Sequence, residues 1–177
     1  METKILFADI DGTLLNDQKE IPKENMTAIQ KALDCGHYVV VATGRPLDSA
    51  KAVAKDLGLM MPGCYLIAYN GAIVYDCGNE KVLKKESLPL AYVKELFERA
   101  KKAGLYIQTY KGNQIITTQD SPELEAYRNH TKLSYQVVED VFEVLDEEPQ
   151  KAMLIHLTDK SKLEQFQRDN MEWQKGK

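Results

Sequence analysis

Three cysteines in 177 residues cannot make a disulfide framework, and their odd number leaves one over. Cys35, Cys64 and Cys77 share no metal-ligand spacing, so they read as reduced thiols of a cytoplasmic protein. Histidine is equally scarce: His37, His130 and His156 show no ligand spacing and read as structural or solvated. There is no basic block either. Lysine and arginine (23) are mixed among 27 acidic residues for a net charge of -4, which argues against nucleic acid or an anionic membrane as partner. No apolar run approaches the length needed to span a bilayer, and Met1-Glu2-Thr3-Lys4 opens directly into a strand. Neither a signal peptide nor a membrane anchor is expected. Internal repeats and low-complexity segments are absent.

What the chain does have is concentrated in residues 5–15, Ile-Leu-Phe-Ala-Asp-Ile-Asp-Gly-Thr-Leu-Leu. An apolar strand delivers Asp9 and Asp11 into a Gly-Thr turn. Alternate strand residues point the same way, so the two carboxylates leave on one side of the strand end. Such a pair suits a divalent cation, or a division of labour between nucleophile and proton donor. Asp-x-Asp-Gly-Thr arises by chance at on the order of one start in 10^5. A strand that merely ends at a turn also carries Asp-Gly, and that is the plain alternative.

The first part of the chain alternates strand and helix. Residues 5–8 form an apolar strand. Pro22 opens a helix with Met26, Ile29 and Leu33 on one stripe and Gly36 at its end. Tyr38 to Ala42 is a continuous apolar strand. Pro46 opens a second helix with Leu47, Ala50, Val53 and Leu57 aligned, and residues 65–68 form a third strand. This order implies parallel pairing in an α/β fold. Beyond Asn70 the pattern changes to a hairpin (72–75 and 81–84), a helix from Pro89, a second hairpin across Lys111-Gly112-Asn113 and a helix over 122–130. A strand over 151–158 and a helix capped by Asp159 follow. Two domains are expected: 1–84, an α/β core, and 85–177, an α+β unit.

Asp9-Ile10-Asp11-Gly12-Thr13-Leu14-Leu15 resembles the first motif of the haloacid dehalogenase superfamily, in particular the Cof-type sugar-phosphate phosphatases. Val39 to Arg45, ending Thr43-Gly44-Arg45, is similar to that branch's second motif, and Asn70-Gly71-Ala72 to the end of its third core strand. The resemblance implies a Rossmann-like parallel-sheet core, here partial, with residues 85–177 forming part of an inserted cap that selects the substrate. It implies a small phosphorylated metabolite as substrate and Mg2+ as cofactor. Asp9 would be the nucleophile and a metal ligand. Asp11 would lend its main-chain carbonyl to the metal and its carboxyl to acid-base work.

Phosphate donors are expected from the amides of Ile10 and Gly12 and from Thr43 and Gly44, beside a helix N-terminus. Thr43 has the alternative of capping that helix. Arg45 either meets substrate phosphate or pairs with a carboxylate. Asn70 either orients an aspartate or makes an ordinary turn. Tyr106, Tyr110 and Tyr127 either line the cap surface or pack it.

The family pattern also includes a later lysine and an acidic Gly-Asp-x-x-Asn-Asp-like turn, and these 177 residues contain neither in its place. Lys175-Gly176 follows directly on the last helix, the wrong position for the lysine motif. The expectation is an N-terminal piece of a longer enzyme, with weakened metal binding and turnover. Residues 5–8 would then form an unpaired apolar edge open to self-association. Rival readings are a phosphomannomutase-like phosphotransferase and an inactive fragment that binds phosphate or a protein.

Overall fold

The computed structural model describes residues 2–175, without the side chains of His130, Gln174 and Lys175. Gly176, and with it the Lys-Gly pair, and the setting of His130 lie outside the described part. The chain divides into two compact units, Met1–Glu86 and Ser87–Lys177.

The first unit holds β1 (Ile5–Asp9), α1 (Lys23–Asp34), β2 (Tyr38–Ala42), α2 (Leu47–Asp56), β3 (Cys64–Ala68), β4 (Ile73–Asp76) and β5 (Lys81–Lys85). They form one sheet in the order β1-β2-β3-β4-β5. β1, β2 and β3 run parallel, each linked by a helix, and β3, β4 and β5 are antiparallel. Pro22 and Pro46 sit immediately before the two helices, where the missing amide hydrogen costs nothing. Gly36 takes a φ of +75°, the left-handed conformation that ends α1 beyond Cys35. Ile29 of α1 and Ala50, Val53 and Ala54 of α2 share one core with Val39, Val41, Cys64 and Leu66. Both helices therefore cover the same face of the sheet, and burial of these side chains is what holds the layers together.

Met26 departs from the expected stripe: it is exposed, Ile29 is buried, and Leu33 is only partly buried. Gly78, in the β4–β5 turn, lies so close to Pro62 that a Cβ there would fall 2.6 Å from its main chain.

The second unit contains α3 (Leu90–Lys102), β6 (Tyr106–Lys111), β7 (Gln114–Thr117), α4 (Pro122–Thr131), β8 (Tyr135–Val137), β9 (Ala152–Ile155), α5 (Lys160–Asp169) and α6 (Met171–Lys175). Its sheet has the order β8-β7-β6-β9. Val93, Leu96, Phe97 and Ala100 of α3 pack with Ile107, Ile116 and Phe166. On strand positions of the other parity, Tyr106 donates to Gln108 (2.8 Å), Gln108 to Tyr110 (2.9 Å) and Tyr110 to Tyr127 of α4 (2.8 Å). A chain of buried, mutually satisfied polar groups packs this side, and burial pushes the Tyr106 phenol up to about 12. Packing is thus the role of Tyr106 and Tyr110.

β8 was not expected; its three exposed residues, Tyr135-Gln136-Val137, are too short a run to mark a strand, and its parallel pairing with β7 makes it one. β9 is shorter than residues 151–158 because His156 Nδ1 accepts from the amides of Thr158 and Asp159 and turns the chain out of the ladder.

Candidate active site

The carboxyl ends of β1 and β2 adjoin, with Asp9 in register with Ala42. Residues just past these ends therefore gather at one edge, where ligands of open α/β sheets bind. Asp9 is exposed, and its carboxylate takes no hydrogen bond or ion pair among the described residues. Its main-chain carbonyl is fixed by the Leu14 amide at 3.1 Å, and Ile10's by the Leu15 amide at 2.9 Å. Ile10 is fully buried and anchors the turn, while Gly12 adopts a φ of +75° that a residue with a Cβ enters only with strain.

Thr43 donates its amide to Ile67 (2.8 Å), which ties the end of β2 to β3. Its hydroxyl accepts from the Arg45 amide at 3.2 Å. That bond closes a local turn before α2 and gives no cap to the helix, whose N-cap residue is Pro46. Gly44 faces the Asn70 side chain so closely that a Cβ would meet its Oδ1 at 3.1 Å. Asn70 has a φ of +59° and donates its amide to the Thr43 carbonyl at 3.1 Å. No side-chain hydrogen bond joins it to Asp9 or Asp11, so the turn is its evident structural role.

Asp11 is held quite differently from Asp9. Arg45 grips it with both arms, Nε to Oδ2 at 2.9 Å and a terminal nitrogen to Oδ1 at 2.6 Å. Lys19 Nζ reaches the same Oδ1 at 2.9 Å. The Arg45 fork, assisted by Lys19, holds the Asp11 carboxyl well below the usual carboxylate range against the opposing effect of burial. Of the two expected partners of Arg45, the structure shows the carboxylate. In this arrangement the Asp11 carboxylate accepts from both cations.

Lys19 is the residue that reading the sequence missed. It sits at a φ of +64° in a turn closed by Asn16, which accepts from the Lys19 and Glu20 amides. Nothing in Asn16-Asp17-Gln18-Lys19 marks that lysine for Asp11, because its reach depends on how the turn folds back. As for a metal, no group of three or more acidic, histidine or cysteine side chains gathers among the described residues. Asp9 has an exposed carboxylate at this edge.

The haloacid dehalogenase-like hydrolase family model matches residues 6–175. The chain belongs to this family. A putative phosphatase, YxeH, of Bacillus subtilis is 30% identical over 128 residues, spanning 72% of this chain and 47% of that protein. The 5-amino-6-(5-phospho-D-ribitylamino)uracil phosphatase YitU of Bacillus subtilis is 38% identical over 101 residues, 55% of this chain and 36% of its own length. Among solved structures, a haloacid dehalogenase-like hydrolase from Bacteroides thetaiotaomicron superposes with a TM-score of 0.87 at 25% identity. That match covers 99% of this chain and 66% of the other. A subclass IIB sugar phosphatase of the family shares the fold at a TM-score of 0.71 and 19% identity, over 94% of this chain and 63% of its own. This haloacid dehalogenase-like chain thus spans less than half the length of those two curated relatives.

Proposed function

We propose that this chain carries the nucleophile end of a magnesium-dependent phosphomonoesterase acting on small phosphorylated metabolites such as sugar phosphates. The observation that carries the reading is the contrast between the two aspartates. Asp9 presents a bare carboxylate at the sheet edge, and Asp11 beside it is charge-compensated by Arg45 and Lys19. A carboxylate attacks phosphorus to give an acyl phosphate that water later cleaves. The opposing charge of a phosphate dianion is the obstacle to that attack, and a bound magnesium ion supplies charge neutralisation there.

Asp9, through its carboxylate, and Asp11, through its main-chain carbonyl, are the residues that would hold the ion, with water making up the remainder. The Asp11 carboxylate, already spent on two cations, is not counted as a ligand. Thr43 offers its hydroxyl proton to a phosphate oxygen, and the amides of Ile10, Gly12 and Gly44 line the turns around it. Arg45 has a fork suited to phosphate as well as carboxylate. Transfer of that fork to the substrate would release Asp11 for proton transfer. The second unit is read as the cap of this fold and the site as cytoplasmic.

The test is single-turnover trapping. Incubation with magnesium and a panel of sugar phosphates, followed by borohydride, converts an aspartyl phosphate to homoserine, which peptide mass spectrometry locates. Homoserine is expected at Asp9 and nowhere in Asp9→Asn. Release of phosphate by Asp9→Asn at the wild-type rate would refute the assignment. Positional isomerisation of a sugar phosphate in place of hydrolysis would move the reading to a phosphomannomutase-like transferase.

A further inference from the structure

Cys64 and Cys77 stand opposite each other at one end of the β3–β4 hairpin. The two strands pair antiparallel with Tyr65 against Asp76, so the next step of the ladder sets Cys64 against Cys77. There the Cys77 amide donates to the Cys64 carbonyl at 3.1 Å. The return bond is missing, because the Cys64 amide donates to Met61 at 3.2 Å. Both strands are inner strands of the sheet.

Facing residues of a hydrogen-bonded antiparallel pair lie about 5.5 Å apart at Cα, and their side chains leave on one face. That separation falls inside the range that a disulfide spans, roughly 4.4–6.8 Å. The two side chains do share a face. Both lie in one core with Val39, Leu66 and Tyr75, with Cys64 0% and Cys77 1% exposed.

We propose that Cys64 and Cys77 form a reversible disulfide site, closed by hydrogen peroxide and opened by an external dithiol. Attack of the first sulfur on peroxide breaks the oxygen–oxygen bond and leaves a sulfenic acid and one water. The second sulfur then displaces the hydroxyl as another water and completes the sulfur–sulfur bond. The two thiol protons depart in those waters, the peroxide is reduced and the sulfurs are oxidised.

Access sets the pace. Burial pushes both thiols up, so little thiolate forms and bulky reagents stay out. Peroxide is small and uncharged, and the pair sits at the margin of the core. Exposed Met61 and Pro62 precede Cys64, and exposed Asn79 and Glu80 follow close on Cys77. The two turns meet where Gly78 packs on Pro62. Strand ends beside such turns open at less cost than the whole unit. Cys35, exposed at the end of α1, takes no part.

The bond would close the hairpin at the end remote from Tyr69 and Asn70, whose amides hold the Arg45 and Thr43 carbonyls. Oxidation thus staples the element that carries this clamp and leaves both aspartates untouched. The inference does not rest on the phosphatase reading.

The test treats the whole chain, with Cys35→Ser, with hydrogen peroxide while far-ultraviolet circular dichroism confirms that it stays folded. The intact mass is expected to fall by two hydrogens. Chymotrypsin cuts at Tyr69 and Tyr75 between the cysteines, and non-reducing digestion is expected to leave their peptides joined until dithiothreitol parts them. The same joined peptides are expected from the wild-type chain. Two free thiols after prolonged exposure, a link between two chains, or sulfinic acid at either cysteine overturns the proposal.

Discussion

Asp9 leaves β1 with its carboxylate bare, while Asp11, two residues on, lies in the grip of Arg45 and Lys19. The spacing of the pair is legible in the sequence, although β1 ends at Asp9 and Asp11 sits in the turn beyond it. Their inequality is not, since it depends on side chains 8 and 34 positions away. Cysteine teaches the same lesson. Three thiols look alike in the sequence, yet Cys35 is exposed and Cys64 and Cys77 are buried. Burial pushes the Cys77 thiol up to about 12, with the neighbouring Cys64 adding to it. Because the thiolate is the reactive form, a limiting alkylating reagent is expected to modify Cys35 and to reach Cys64 and Cys77 only after denaturation. Peptide mapping of the native protein checks this, and early labelling of Cys77 would contradict the packing.

Among the elements, the β4–β5 hairpin shows how much a turn can demand. Asp76 accepts from the Gly78 and Asn79 amides and from the Asn79 side chain at 2.9–3.0 Å. Asn79, through side chain and then amide, holds the Asp76 carboxyl below the usual range. Gly78 needs no unusual dihedral; its constraint is the Pro62 main chain behind it. Gly78→Ala forces two segments of backbone apart, and overpacking of this kind costs about 1–3 kcal/mol. A lowered denaturation midpoint at unchanged m-value is expected, whereas a wild-type midpoint would mean that the two segments part freely. From sequence, Cys77-Gly78-Asn79 reads as a turn, but the contact with Pro62 is tertiary and invisible there. The helices were legible because proline entries and glycine exits bracket apolar stripes. β8 was not, because a strand of three exposed residues owes its existence to the neighbour it pairs with.

For the whole molecule, membership of the haloacid dehalogenase-like hydrolases brings together what the residues suggested singly. Among the described residues the Asp9 carboxylate is exposed at the edge proposed to hold a cation. A ligand that binds only the native state raises stability by RT ln(1 + [L]/Kd). With so few protein oxygens, millimolar magnesium is expected to leave the melting temperature of this chain essentially unchanged. A rise of several degrees that Asp9→Asn removes would show that the edge binds the ion far better than its ligand count suggests.

The alternation of strand and helix in the first unit, the turn at Asp-x-Asp-Gly-Thr and the family were determined by the sequence itself, because they rest on local rules: the period of a strand, the stripe of a helix, and the conformations open to glycine and proline. Tertiary structure decided which face of each strand is covered and which aspartate is neutralised. Those outcomes depend on distances between residues far apart in the chain, and only the folded backbone sets them.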